Sequence, residues 1–243
     1  MPDGSPEIFH TIQGEGRNIG MPSVFIRASL CNLHCTWCDT DYTWNWDDTD
    51  FPHEKDHLAD YRKYRREDMI ITLSADEVVE QVGQYQCPNY VLTGGEPLLQ
   101  EKGWIQIMKL LGGGNHFEIE TNGTLMPGGE FIELIDQFNV SPKLANSGVP
   151  EDDRRKPDIL ALLAETGKAD FKFVVHSEAD LEEVQSIVTG SAIPSNHVFL
   201  MPRASTPDSL AQNQGSISEL ALKCGFRYSD RLHLRLYGAK RGV

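Results

Sequence analysis

The chain has no apolar run long enough to cross a bilayer, and its first residues lack the basic-then-apolar pattern of a secretion signal. A membrane protein and an exported one are therefore excluded as first readings, and the cytoplasm is the expected location. Basic residues are scarce, with 22 Lys plus Arg against 36 Asp plus Glu and a formal net charge of −14. That balance argues against a nucleic-acid surface as the main partner. It suits a protein handling a small molecule, and a local basic pocket can hide inside the total. Internal repeats are absent and no composition shift marks a boundary, so residues 1–243 are read as a single domain. Cysteines number only five. Nothing else suggests a secreted scaffold, so a disulfide framework is disfavoured. Cys87 and Cys224 stand alone and read as ordinary buried or half-buried thiols.

The other three cysteines are what the chain does have. Cys31, Cys35 and Cys38 lie in Cys31-Asn32-Leu33-His34-Cys35-Thr36-Trp37-Cys38, a C-x3-C-x2-C run with an aromatic before the last cysteine. Two chemistries fit the spacing. One is zinc, with His34 or a distant residue as fourth ligand. The other is a 4Fe–4S cluster one thiolate short of closure, whose open iron takes an outside ligand such as the amino and carboxylate groups of S-adenosylmethionine (SAM). A second motif favours the cluster. Asn89-Tyr90-Val91-Leu92-Thr93-Gly94-Gly95-Glu96-Pro97 is an apolar strand running into a turn. Its paired glycines allow close approach of a ligand and free amides to bind it, and Glu96 offers a carboxylate to an ammonium. Cysteine run and turn together resemble the radical SAM superfamily. The resemblance implies that the three cysteines hold the cluster, that the aromatic dipeptide lies by the adenine, and that Gly94, Gly95 and Glu96 hold the methionine amino group.

The rest of the chain alternates strand and helix. Strands are expected at Ser23–Ser29, into Gly94, at His116–Glu120, Asn139–Ser141, Asp170–Val175, His197–Met201 and Leu232–Tyr237. Helices are expected after the capping box Ser74-Ala75-Asp76-Glu77, around Trp104–Leu111, over Glu130–Phe138 and Asp158–Thr166, along the Leu181, Val184, Ile187, Val188 face, and over Ser216–Cys224 behind a second capping box. Asn45–Asp68 is a polar insertion, read as a solvated excursion or lid. Repeated strand–helix units imply an α/β fold with a parallel sheet, and about seven strands are too few for a closed barrel, so an incomplete parallel β/α barrel fits best. The cysteines, Gly94–Glu96, Glu120, Ser141–Lys143 and Met201–Ala204 all follow expected strands, on the rim where barrel active sites lie.

Further segments narrow the resemblance. Ile8-Phe9-His10-Thr11-Ile12-Gln13-Gly14-Glu15-Gly16, Gly20-Met21-Pro22-Ser23, Phe25-Ile26-Arg27, Cys38-Asp39-Thr40, Ser141-Pro142-Lys143 and the tail Leu232–Gly238 resemble the 7-carboxy-7-deazaguanine synthases over nearly the whole length. That family contracts 6-carboxytetrahydropterin to a 7-deazapurine with release of ammonia, on the path to queuosine, regenerating SAM with help from magnesium. The resemblance implies that Trp37, Cys38, Asp39, Gly94, Gly95, Glu96, Ser141, Pro142 and Lys143 flank SAM, and that Thr40 offers its hydroxyl to Mg2+. It implies that Ile12, Gln13, Gly14, Glu15, Arg27, Thr93 and the end of the chain at Val243 grip the pterin. Glu120 and His233 are candidates for catalytic or substrate contacts. A flavodoxin- or ferredoxin-type reductant and a homodimer are implied as partners.

The residue chemistry agrees in part. The planar fork of Arg27 suits a carboxylate. Gln13 and Glu15 match the donors and acceptors of a pterin edge. Met201-Pro202 stands where many relatives carry Gln-Pro, leaving the SAM contact there open. Two rival readings remain: another short radical SAM enzyme, such as a glycyl-radical activase, which would lack Gln13–Gly16 and Arg27, and a non-enzymatic zinc or iron–sulfur binding module.

Overall fold

The computed structural model describes residues 4–243. Eight strands form one sheet in chain order: β1 (Ile8–Ile12), β2 (Pro22–Ala28), β3 (Asn89–Gly94), β4 (His116–Thr121), β5 (Gln137–Val140), β6 (Ala169–Val175), β7 (Val198–Pro202) and β8 (Arg227–Tyr228). β1 and β2 pair antiparallel, and every later pair is parallel. Among the described residues β8 does not pair back to β1, so the sheet curls without closing and forms a partial barrel. Nine α-helices lie among the described residues: α1 (Arg66–Met69), α2 (Ala75–Val82), α3 (Glu101–Leu111), α4 (Gly129–Leu134), α5 (Glu151–Arg154), α6 (Pro157–Glu165), α7 (Leu181–Gly190), α8 (Pro207–Cys224) and α9 (Leu232–Tyr237).

The two-residue period of the strands sorts the sheet into two faces. Val24, Ile26, Tyr90, Leu92, Phe117, Ile119, Phe138, Val140, Phe171, Phe173, Val198 and Leu200 turn outward and meet the apolar stripes of the helices, such as Val78 and Val82 of α2 or Leu160 and Leu163 of α6. Each such side chain, fully buried, contributes ~1.5–3 kcal/mol. The alternate residues Phe25, Arg27, Thr93, Glu120, Asn139 and Lys172 turn inward and line a cavity. The main core therefore lies outside the sheet, and the hollow inside is polar.

Several elements differ from the sequence reading. β1 is an additional strand that tethers the N-terminal segment to β2. The segment Glu130–Phe138 divides into α4 and β5, because Ile135 leaves helical geometry and Gln137 begins the next ladder. The expected helix Ser216–Cys224 begins at Pro207, capped by Thr206 and Ser209. Ser216 is internal and its hydroxyl donates to the Asn213 carbonyl, so it caps nothing. Leu210, Ile217 and Ala221 bury along one face and carry the helix through its polar middle. Leu232–Tyr237 is α9 and not a strand, since β8 already occupies the sheet edge beside β7. The Asn45–Asp68 insertion is not merely solvated. Asn45, Trp46 and His53 are buried, and buried Asp41 accepts from Tyr61 Oη at 2.7 Å and Lys55 Nζ at 3.0 Å. The Ser74–Glu77 capping box forms as expected.

Candidate active site

A cavity of about 760 Å³ opens at the C-terminal ends of the strands. It gathers nearly every residue singled out in the sequence. The three cysteines with Trp37, Asp39 and Thr40 form one wall. Gly94, Gly95, Ser141 and Lys143 lie on the rim. Ile12, Gln13, Gly14 and Glu15 enter from the β1–β2 hairpin, Arg27 and Thr93 from neighbouring strands at paired register positions, and Glu120, His233 and Val243 complete the floor and far side. Met201, Arg203 and Ala204 also reach the wall.

The cysteine loop is held from outside. Thr36 N donates to the Ser147 carbonyl at 2.9 Å, Trp37 Nε1 to the Asn146 carbonyl at 2.8 Å, and Glu54 N to the Thr36 carbonyl at 2.7 Å. His53 Nε2 lies 3.0 Å from the Cys38 carbonyl, so the insertion braces this loop. The thiols are unpaired and pack with Leu33 and Val149. Burial pushes Cys31 up to about 12 and Cys35 to about 11, and raises Cys38, with the neighbouring thiols adding to the effect at Cys31 and Cys35. Thiolates here require a bound positive centre. His34 is stacked on Phe51 with ring centroids 3.4 Å apart, and is committed away from the thiols. Among the described residues no three His, Cys, Asp or Glu side chains converge on a single metal ion. Three thiols over an apolar floor, without a fourth such ligand, suit an iron–sulfur cluster with an open position better than a closed zinc site. Thr40 Oγ1 sits 3.6 Å from Cys38 Sγ and makes no capping bond to the helical turn that follows.

The Gly-Gly-Glu turn works differently from the sequence reading. Gly94 has φ +153, and a Cβ there would lie 2.9 Å from the Ala28 carbonyl carbon; at Gly95 it would lie 2.6 Å from that of Leu30. The amides of Gly95 and Glu96 donate to the Ala28 and Leu30 carbonyls at 3.1 and 2.8 Å, so they clamp β3 onto the cysteine loop and are not free for ligand. Glu96 is fully buried and does not line the cavity. Its carboxylate accepts from Asn122 N at 2.7 Å, Thr121 Oγ1 at 2.8 Å and Leu98 N at 3.0 Å. The expected pairing with an ammonium is therefore corrected: Glu96 ties strand ends together. Pro142 likewise is buried and does not line the cavity, leaving the half-buried Ser141 and Lys143 as the pair that does, with Lys143 Nζ 3.0 Å from Ser141 Oγ.

The remaining wall is a web of ions. Glu120 accepts from Thr93 Oγ1 at 2.8 Å and from Gln13 Nε2 at 3.5 Å. Glu15 joins Lys172 and Arg231 Nε, the latter at 2.9 Å. Arg231 also pairs with Asp39, linking the α9 end to the cysteine loop. Burial would raise the Glu15 carboxyl, but Lys172, Arg231 and His233 outweigh it and hold it well below the usual range. A Cβ on Gly14 would collide with the His233 ring, so that glycine lets hairpin and α9 meet. Trp37 presents its ring to Lys143 and Arg203, 5.8 and 5.9 Å from the centroid. Arg27 is no surface salt bridge: its side chain is only 16% exposed and pairs with Glu7 at 3.0 Å. In a chain with 36 acidic and 22 basic residues, the cavity reverses the balance, lined by eight Lys or Arg against five Asp or Glu. A surplus of positive charge in a cavity favours an anionic ligand.

Sequence reasoning missed Glu7, Tyr42, Lys172, Arg231 and Arg241. Only Lys172 left a signal, as a cation at an alternate position within the apolar run Asp170–Val175.

The profile of the radical SAM superfamily matches residues 26–177. A 7-carboxy-7-deazaguanine synthase of Pyrobaculum aerophilum is 34% identical over 238 residues, covering 97% of this chain and 95% of that one. The protein of the same name from Halobacterium salinarum is 33% identical, covering 95% and 89%. The crystal structure of QueE from Escherichia coli superposes with a TM-score of 0.64 at 24% identity, covering 94% of this chain and 93% of that chain, and shares its fold.

Proposed function

We infer the reaction from the family to which this chain belongs, the 7-carboxy-7-deazaguanine synthases of the radical SAM superfamily. It is a radical SAM lyase that contracts the ring of 6-carboxy-5,6,7,8-tetrahydropterin to 7-carboxy-7-deazaguanine and releases ammonia, in the biosynthesis of queuosine and related 7-deazapurines. The observation that carries this reading at the site is the junction of three thiols with a wall of buried cations in one cavity. Cys31, Cys35 and Cys38 would hold the 4Fe–4S cluster, which with SAM supplies the one-electron cleavage that yields an adenosyl radical.

The protein's own groups bind and orient. Trp37 offers a flat face to the adenine, and Asp39, Gly94, Gly95, Ser141 and Lys143 flank the rest of SAM. Lys143 is placed to meet a carboxylate. Arg27 meets the pterin carboxylate, while Gln13, Thr93 and Glu120 form a linked donor and acceptor set for the ring edge. Ile12, Gly14 and Glu15 shape the pocket behind it, and the chain end at Val243 closes the far side. Thr40 serves Mg2+, which favours hard oxygen ligands and takes the others from substrate and water. A one-electron donor is required, of flavodoxin or ferredoxin type. The protein works as a single-domain, cytoplasmic homodimer; among the described residues no helix is long and apolar enough to cross a membrane.

Anaerobically reconstituted protein given reductant, SAM and the carboxypterin should release one ammonia per pterin consumed while SAM persists through many turnovers. Stoichiometric loss of SAM with no ammonia would overturn the assignment in favour of another radical SAM reaction.

A further inference from the structure

Glu7 is a carboxylate that no motif singles out. It precedes β1 and is 7% exposed. Its Oε1 accepts from Arg27 Nε and Tyr42 Oη, each at 3.0 Å, and its Oε2 from Arg241 Nε at 2.8 Å. The Arg241 guanidinium carbon lies over the Tyr42 ring, 3.6 Å from the centroid. Three distant parts of the chain thus meet on one side chain: the inward residue of β2, the turn after the cysteine loop, and the tail two residues before Val243. All four residues line the cavity. Arg27 N also donates to the Glu7 carbonyl at 3.0 Å, which fixes the two residues through backbone and side chain together.

Two guanidiniums share one carboxylate, so the cluster carries a surplus positive charge. Both turn Nε toward Glu7. In a planar fork that leaves the edge made by the two terminal nitrogens directed elsewhere, and a carboxylate is bound best across such an edge. Burial alone would raise the Glu7 carboxyl, but Arg27 and Arg241 more than offset this and keep it ionised. Tyr42 adds a neutral donor and a ring that holds the Arg241 plane in place.

We propose that Glu7 is the positioning residue of the substrate's carboxylate subsite, and that Arg241 is its second cationic arm beside Arg27. Glu7 sets the orientation of both guanidiniums, and the tail contributes recognition through its arginine. The proposal rests on the carboxypterin being the substrate.

The test is equilibrium binding to the anaerobic, cluster-loaded and SAM-bound protein. Two ligands are compared: 6-carboxytetrahydropterin and its 6-carboxamide analogue, which keeps the shape but not the charge. Glu7→Gln preserves size and retains one acceptor. It should weaken the carboxylate ligand roughly ten- to a hundredfold, the scale of one hydrogen bond between charged groups, and leave the carboxamide within about twofold. Arg241→Gln, on the tail and outside the main core, should show the same selective loss. Iron content and SAM affinity should match the wild type in both variants. Equal weakening of both ligands in Glu7→Gln, or wild-type carboxylate binding in Arg241→Gln, would overturn the proposal. Failure of the wild type itself to bind the carboxypterin would overturn the substrate reading, and the subsite with it.

Discussion

At the scale of single residues, chemistry is decided by burial and by the partner that burial makes necessary. Glu15 is held between Lys172 and Arg231 at 14% side-chain exposure. Replacing it by Gln strands a buried ammonium, and the expected cost is about 3 kcal/mol in denaturant unfolding of the cluster-free protein near neutral pH. The sign of the pH dependence follows from its lowered carboxyl. A carboxylate whose native pKa lies below its unfolded value, here 4.5, stabilises fully above that value and loses its contribution as pH falls through the native one. The gap between wild type and Glu15→Gln should therefore stay constant above pH 4.5 and close below it. A gap unchanged in acid would remove Glu15 from the ion web. Thr40 is a second case. Its hydroxyl is free of any capping bond and faces the cavity beside Cys38. In the proposed role of Thr40 as the protein's one magnesium ligand, the ion would enter with the substrate, and Thr40→Val should lower turnover and flatten the magnesium response while leaving iron content and SAM binding intact. A wild-type magnesium response in that variant would retire the assignment.

At the scale of elements, the turn after β3 decides whether the site forms. The amides of Gly95 and Glu96 lock onto carbonyls just before Cys31, and a Cβ at Gly95 would lie 2.9 Å from Cys31 Cβ. Gly95→Ala must push the cysteine loop off β3. Anaerobic reconstitution of that variant should recover well under half of the wild-type iron, with SAM affinity falling in parallel; full iron loading would show that the loop tolerates the shift. This contact also shows where sequence reading reaches its limit. Paired glycines announce that something approaches closely, but whether it is a ligand or the chain itself depends on a loop sixty-odd positions away, as parallel strands require long crossovers. Caps tell a similar story. Ser74–Glu77 was legible because its box is local. The start of α8 was not, because Thr206 and Pro207 precede a polar stretch that only tertiary burial of Leu210 holds helical. The alternation in Leu232–Tyr237 suits a strand equally well, and only the occupied sheet edge makes it a helix.

At the scale of the whole molecule, the partial barrel inverts the usual arrangement of charge. Its apolar core lies outside the sheet, and its hollow interior gathers cations from an acidic chain. The three-cysteine loop, the Gln-Gly-Glu segment and Arg27 were legible because each motif is short and carries its chemistry alone. Glu7, Arg231 and Arg241 were not, because a charged residue outside any motif says nothing until the fold supplies its counterpart, and Lys172 left only its alternate place in an apolar strand. On the proposed function, this cavity joins an iron–sulfur site to a carboxypterin pocket in one reaction. Mass analysis of the product formed from 6-carboxytetrahydropterin by the anaerobically reconstituted protein, with reductant and SAM, tests it most directly. A product lighter than the substrate by one ammonia, formed only when Cys31, Cys35 and Cys38 are all present, is the expected result. Recovery of the pterin unchanged, from protein carrying a full cluster and bound SAM, would contradict it.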